Sequence, residues 1–329
     1  METPRPEQSR NRVVKEAGAY IALAFGFSWV ATIGAIKLGL AEEYLNIGTA
    51  GPAVAAYILA RNQQPTPNDR SKRKWLWFVL FLSVCWIVLS LHYLWWNGAG
   101  LGVHLRPLLL IPSILPAFIL FGVLARDQGV RGLTRRLLHA PDKWSAFALL
   151  YFPVVLGIPS AIAYVLGARM IWPNLGGFTV TAVANATMFF LYNLLFVAVL
   201  EEPGWRGFLL DRLETRFAPL AASLLVWFPW ALWHAPVDYY RPVRFTWVEE
   251  ILLRVVFMIP TTIILTWLYN RSGRSIQATA IFHAAMNTFP YVVPYYQMAW
   301  LLMFAFAAYA IIADKMWRKH SACLMETHE

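Results

Sequence analysis

Apolar residues run through this chain in blocks of about twenty, set apart by short polar stretches. The blocks cover 17–40, 48–60, 75–96, 106–125, 144–166, 178–200, 218–235, 249–268, 276–289 and 294–313. A helix rises about 1.5 Å per residue, so about 20 residues cross a hydrocarbon core of about 30 Å. In lipid every backbone N–H and C=O must be bonded within the protein, which a helix achieves and an open strand does not. The pattern therefore predicts an all-α, polytopic helical membrane protein. It has about ten transmembrane helices, eight at the fewest, around a membrane-embedded site. The second and ninth blocks are short for a span, which points to tilt or re-entry. The chain divides into N-terminal helices and basic loops over 1–143, a helical core over 144–313 and a tail over 314–329.

Composition agrees. The 329 residues are 59% hydrophobic and 14% charged, against about 25% charged in soluble chains. Sixteen Trp and fourteen Tyr fit interfacial belts, as with Trp75, Trp77, Tyr93, Trp95 and Trp96 at the two ends of one block. The net charge of +10 is not a nucleic-acid patch, because the basic residues sit in short loops. With the N-terminus inside, the inside segments hold 22 of the 28 Lys and Arg. The other six are Lys37, Arg106, Arg169, Arg241, Arg244 and Arg254. This asymmetry predicts an integral multi-pass protein with both termini cytoplasmic and the lipid bilayer as its constant partner. The loop 126–143 reads as a basic amphipathic helix lying on anionic lipid. Cys85 and Cys323 do not make a disulfide framework, and Cys323 is too far from the end for a prenylation box of the chain's own.

Three polar islands interrupt the apolar core. The first is Glu201-Glu202-Pro203-Gly204-Trp205-Arg206, directly after a run without charge from Ile171 to Leu200. A carboxylate at membrane depth costs about 2.5–3.5 kcal/mol on insertion scales. Glu202 and Arg206 are four apart and share a helix face, so they can pair. Glu201 has no partner in its own segment, and an unpaired carboxyl in a span is a functional candidate. The second island ends Trp230-Ala231-Leu232-Trp233-His234, and the third holds His283 and Asn287, again four apart. The remaining histidines lie in or beside loops and the tail.

Depth ties the islands together. Glu201 lies 16 residues before a turn near Phe217 and His234 lies 17 after it. In an antiparallel pair that is equal depth, roughly 24 Å from the turn. His283 and Asn287 are 10 and 14 residues beyond a turn at Gly273, roughly 15–21 Å. The four can line one cavity, expected to open to the cytoplasm. A carboxylate beside an imidazole can activate water, and a second His with an Asn can donate to an oxyanion. No Ser or Cys stands in a nucleophile elbow, so the chemistry implied is amide hydrolysis by water. Glu201, His234 and His283 could instead hold zinc, although the His-Glu-x-x-His pattern is absent and Asn287 is a poor zinc ligand.

Glu201-Glu202-x-x-x-Arg206, Trp230-x-x-x-His234 and His283-x-x-x-Asn287 resemble the three motifs of the CAAX-protease and bacteriocin-processing (CPBP) membrane proteins, the family of the type II CAAX prenyl endopeptidases. Gly51-Pro52-Ala53 looks family-like too. The resemblance implies an endopeptidase acting on a membrane-anchored peptide or lipidated protein, such as a prenylated CAAX-type C-terminus. It implies that Glu201 and His234 activate water and that His283 and Asn287 stabilise the oxyanion, with Glu202 and Arg206 in support. It also implies a catalytic core within 144–313. Members have been described both as metalloproteases and as metal-independent glutamate proteases. Where the second motif commonly opens with Phe this chain has Trp230, read as the same apolar wall. Other readings of the same residues are a non-catalytic or immunity-type membrane binding protein on this scaffold and a proton-coupled transporter.

Overall fold

The computed structural model describes residues 6–40, 46–61, 73–96, 109–171, 180–240, 246–292 and 294–319. These form helices, with one isolated antiparallel bridge between Ile171 and Tyr295. In chain order the helices are α1 Pro6–Lys37, α2 Ile47–Leu59, α3 Arg73–Trp96, α4 Leu110–Leu124 and α5 Gln128–Leu137. Then come α6 Lys143–Val165, α7 Val183–Glu214, α8 Pro219–Tyr240, α9 Trp247–Arg271, α10 Ile276–Val292 and α11 Gln297–Ala313. Six of them, α1, α3, α6, α7, α8 and α9, contain stretches long and apolar enough to cross a membrane. Each apolar block of the sequence carries a helix, and the short second block is the short helix α2.

Local chemistry sets several boundaries. Asp142 and Ser145 form a capping box at the start of α6, and Thr246 with Glu249 forms one at the start of α9. Each satisfies N–H groups that a helix start leaves open. The turn between α9 and α10 places Gly273 at φ 64°, where only glycine is free of a Cβ penalty.

Helix α7 carries the first polar island and is not a regular α-helix. Leu194–Ala198 and Trp205–Leu210 widen into π turns on either side of Pro203. Proline lacks the N–H that would continue the ladder, and π turns recur at functional sites. The widened segment is wholly buried from Val199 to Leu210. It rests on α2 and α1. A Cβ at Gly204 would run into the Pro52 carbonyl and the Tyr20 hydroxyl, and the Tyr20 ring meets Trp205 edge-on at 5.6 Å. Gly204→Val is thus expected to lower stability by about 1–3 kcal/mol, as overpacking does. A detergent thermal-unfolding scan showing an unchanged midpoint would contradict that packing.

One end of the bundle is tied by charge. Asp211 accepts from Arg136 and Tyr269 at 2.8 Å each and from Arg274. Glu214 accepts from Asn270 at 2.7 Å, Arg212 pairs with Glu16 at 2.8 Å, and Arg271 pairs with Asp314. These contacts place the beginning of α1, the end of α11 and the turns at Phe217 and Gly273 at the same end. They also correct the reading of 126–143. The basic amphipathic helix forms as α5, but Leu133, Thr134 and Leu137 are buried against the bundle rather than laid on lipid. Thr134 bonds Tyr57 at 2.5 Å, and Arg136 also donates to the Gly207 carbonyl at 2.9 Å. His92, expected beside an outer loop, is buried in the bundle and stacks on Tyr192 with ring centroids 3.7 Å apart.

Candidate active site

Five helices, α7 to α11, converge on a cavity of about 570 Å³. Phe189, Asn193, Val197 and Glu201 line it from α7, spaced four apart, so one face of that helix forms a wall. Trp230 and His234 come from α8, and His283, Met286, Asn287, Pro290 and Tyr291 from α10. Helix α9 supplies Arg254, Phe257, Met258 and Thr261. All four residues proposed from the sequence, Glu201, His234, His283 and Asn287, border this one space.

Glu201 is 2% exposed, and its Oε2 accepts from the Trp230 indole Nε1–H at 2.8 Å. Its Oε1 makes no hydrogen bond among the described residues. His234 Nδ1 lies 2.9 Å from the Trp230 carbonyl. A carbonyl only accepts, so Nδ1 carries the hydrogen and a neutral ring offers Nε2 as an acceptor. One residue, Trp230, therefore orients both Glu201 and His234.

Behind them stands a second layer. Glu202 is fully buried and its Oε1 accepts from Arg206 Nη1 at 2.9 Å and from His283 Nδ1 at 2.8 Å. Arg206, also fully buried, lies over the Trp230 ring with its guanidinium carbon 4.0 Å from the centroid. Trp230 meets the His283 ring edge-on at 5.5 Å. The Glu202–Arg206 pair expected from their spacing is present. Its link to His283 was not legible, since Glu202 and His283 are 81 residues apart. Trp230 departs from expectation. It is no mere apolar wall, because its N–H holds the carboxylate. Among the described residues no three His, Cys, Asp or Glu side chains cluster closely enough to hold a metal ion.

The cavity lining extends away from the charged end. On α7 the lining runs from Glu201 away from the Phe217 turn to Phe189, and on α8 from Trp230 away to His234. On α9 it runs from Thr261 away from the Gly273 turn to Arg254, and on α10 from His283 away to Tyr291. Tyr295 and Trp300 complete this far end. The lining thus extends toward the end of the bundle opposite the charged end that carries both turns.

Residues 183–289 match the family described as Type II CAAX prenyl endopeptidase Rce1-like. The chain is also 26% identical over 219 residues to a protein named CAAX prenyl protease 2 from Methanococcus maripaludis. That alignment spans 60% of this chain and 78% of the relative. The matched segment holds every motif residue described above, from Glu201 to Asn287.

Proposed function

We propose that this chain is a CPBP-type membrane protease, as the match over residues 183–289 and the CAAX prenyl protease relative support, and that it hydrolyses an amide bond of a membrane-anchored peptide at Glu201 and His234. The observation that carries the reading is the shared cavity, lined both by Glu201, one of whose oxygens has no hydrogen-bond partner among the described residues, and by the His234 imidazole, whose Nδ1 is already engaged. Water held between Glu201 Oε1 and His234 Nε2 attacks the scissile carbonyl. A C–O bond forms, and the proton passes through Glu201 to the leaving amine as the C–N bond breaks. The Asn287 amide and the Nε2–H of a doubly protonated His283, whose Nδ1–H is held by Glu202, donate to the oxyanion. A prenylated, CAAX-type C-terminus is the substrate class that the relative's name suggests.

The water-activating reading is metal-free. It is supported by the bonds that already engage Glu201 Oε2 with Trp230 and His283 Nδ1 with Glu202. Purified protein in detergent, given a fluorogenic S-farnesyl-cysteine peptide, is expected to cleave it at an unchanged rate after chelation of divalent cations. Loss of activity on chelation, restored by zinc, would move Glu201, His234 and His283 to the role of ligands.

The charge count supports cytoplasmic termini, and we place the mouth of the cavity at the opposite leaflet, toward which its lining extends. Single cysteines at Thr215, exposed at the charged end, and at Val237, 38% exposed on the far side of His234, test this in a variant lacking Cys85 and Cys323. A membrane-impermeant thiol reagent is expected to label position 215 from the cytoplasmic side and position 237 from the other. The reverse pattern would place the mouth in the cytoplasm and the termini outside it.

A further inference from the structure

Within the peptidase reading, we propose that Arg254 binds the free C-terminal carboxylate of the peptide substrate. Arg254 lies on the cavity wall among Phe257, Met258, Tyr291 and Trp300. The sequence reading counted it only as one of the six basic residues away from the charged end. It is held from one side. Asp238 is 4% exposed, and its carboxylate accepts from Arg254 Nε at 2.7 Å and Nη2 at 2.5 Å. A guanidinium carries five N–H donors in one plane. Two are used by Asp238. Nη1 has no partner among the described residues, and the Arg254 side chain is 31% exposed. The open edge of an anchored guanidinium is matched to a second carboxylate.

Register places this edge near the chemistry. The Asn270–Glu214 and Tyr269–Asp211 bonds align α9 with the parallel helix α7. Counting back equally from Asn270 and Glu214 sets Phe257 level with Glu201. Arg254 is one turn further toward the mouth, about 5 Å along the axis. Asp238 is one turn beyond His234, so the pair also borders the water-activating imidazole. A peptide whose scissile bond sits at Glu201 would bring its C-terminus to Arg254 within a few extended residues, at about 3.3–3.6 Å each. The anion that every linear peptide carries is that terminal carboxylate. A phospholipid phosphate is the other anion present at such a mouth.

The test uses the full-length protein and an S-farnesylated peptide made as the C-terminal acid and as the C-terminal amide. Binding is read from quenching of tryptophan fluorescence, since Trp230 and Trp300 line the cavity, and cleavage by mass spectrometry. The acid is expected to bind about 10- to 100-fold more tightly than the amide, the range of a charge-assisted hydrogen bond. Arg254→Gln is expected to lose that preference. Because it orphans buried Asp238, the double variant Asp238→Asn/Arg254→Gln is measured beside it and is expected to lose the preference with normal folding. Equal binding of acid and amide to the wild type, or a preference that survives the double variant, would overturn the assignment. So would binding insensitive to the carboxylate together with an Arg254-dependent response to phosphatidylglycerol over phosphatidylcholine nanodiscs, which gives the guanidinium to a headgroup. Absent cleavage with an intact acid preference sinks the peptidase reading and leaves the carboxylate site standing.

Discussion

Glu201→Gln is expected to remove peptide hydrolysis while leaving the protein folded. Gln keeps an oxygen that can accept from Trp230 Nε1, now 2.8 Å from the carboxylate. It cannot take a proton from water. Loss of a general base lowers the rate by about 10²–10⁴-fold, and the change should fall on kcat rather than on substrate binding. Trp230→Phe is the informative companion. It keeps the ring against Arg206 and His283 but removes the N–H that aims Glu201. A smaller loss of kcat is expected there, with a folded protein. Near-normal turnover by Glu201→Gln would remove Glu201 from the role of base.

Glu202→Gln is expected to fail differently, through folding. Glu202 and Arg206 are both fully buried and bonded at 2.9 Å. Removing one partner of a buried ion pair costs about 3–5 kcal/mol, because the other charge is left without compensation. Arg206→Ala should show the same defect from the other side. Replacing both partners with apolar residues of similar size, as in Glu202→Leu/Arg206→Met, leaves no orphan charge and should recover much of the folded yield. That double variant should still be inactive, since His283 would lose the carboxylate that fixes its ring at 2.8 Å. Size-exclusion profiles after a thermal ramp separate the cases. Well-folded but inactive single variants would move Glu202 into the catalytic set.

The spans were legible because lipid leaves a chain few options. Each crossing must be a long apolar helix, and such runs stand out in sequence. The four cavity residues were legible for a related reason. A carboxylate or imidazole inside an apolar run is costly, so Glu201, His234 and His283 announced themselves by being there. What was hidden depended on direction. Basic residues mark which end of a helix faces the cytoplasm but say nothing of where side chains leave a gap. That the cavity extends toward Arg254, Tyr291 and Trp300 is set by how α7 to α11 pack together. Arg254 was hidden by its distance from a membrane end, which resembles an interfacial charge until Asp238 is seen beside it. Trp230 was hidden because a tryptophan in an apolar run reads as packing, and only the position of Glu201 shows its N–H at work. The seat of α5 against the bundle was hidden likewise. Its basic face is what lipid would select, yet Arg136 serves Asp211, Tyr269 and Gly207.

The most direct measurement is mass spectrometry of a membrane-anchored S-farnesylated peptide after incubation with the purified protein in ¹⁸O-labelled water. Water activated at Glu201 and His234 should leave one labelled oxygen in the new carboxylate of the product, with or without chelator, and Glu201→Gln should leave the peptide intact. An uncleaved peptide with the wild-type protein, or equal cleavage by wild type and Glu201→Gln, would contradict hydrolysis at this site.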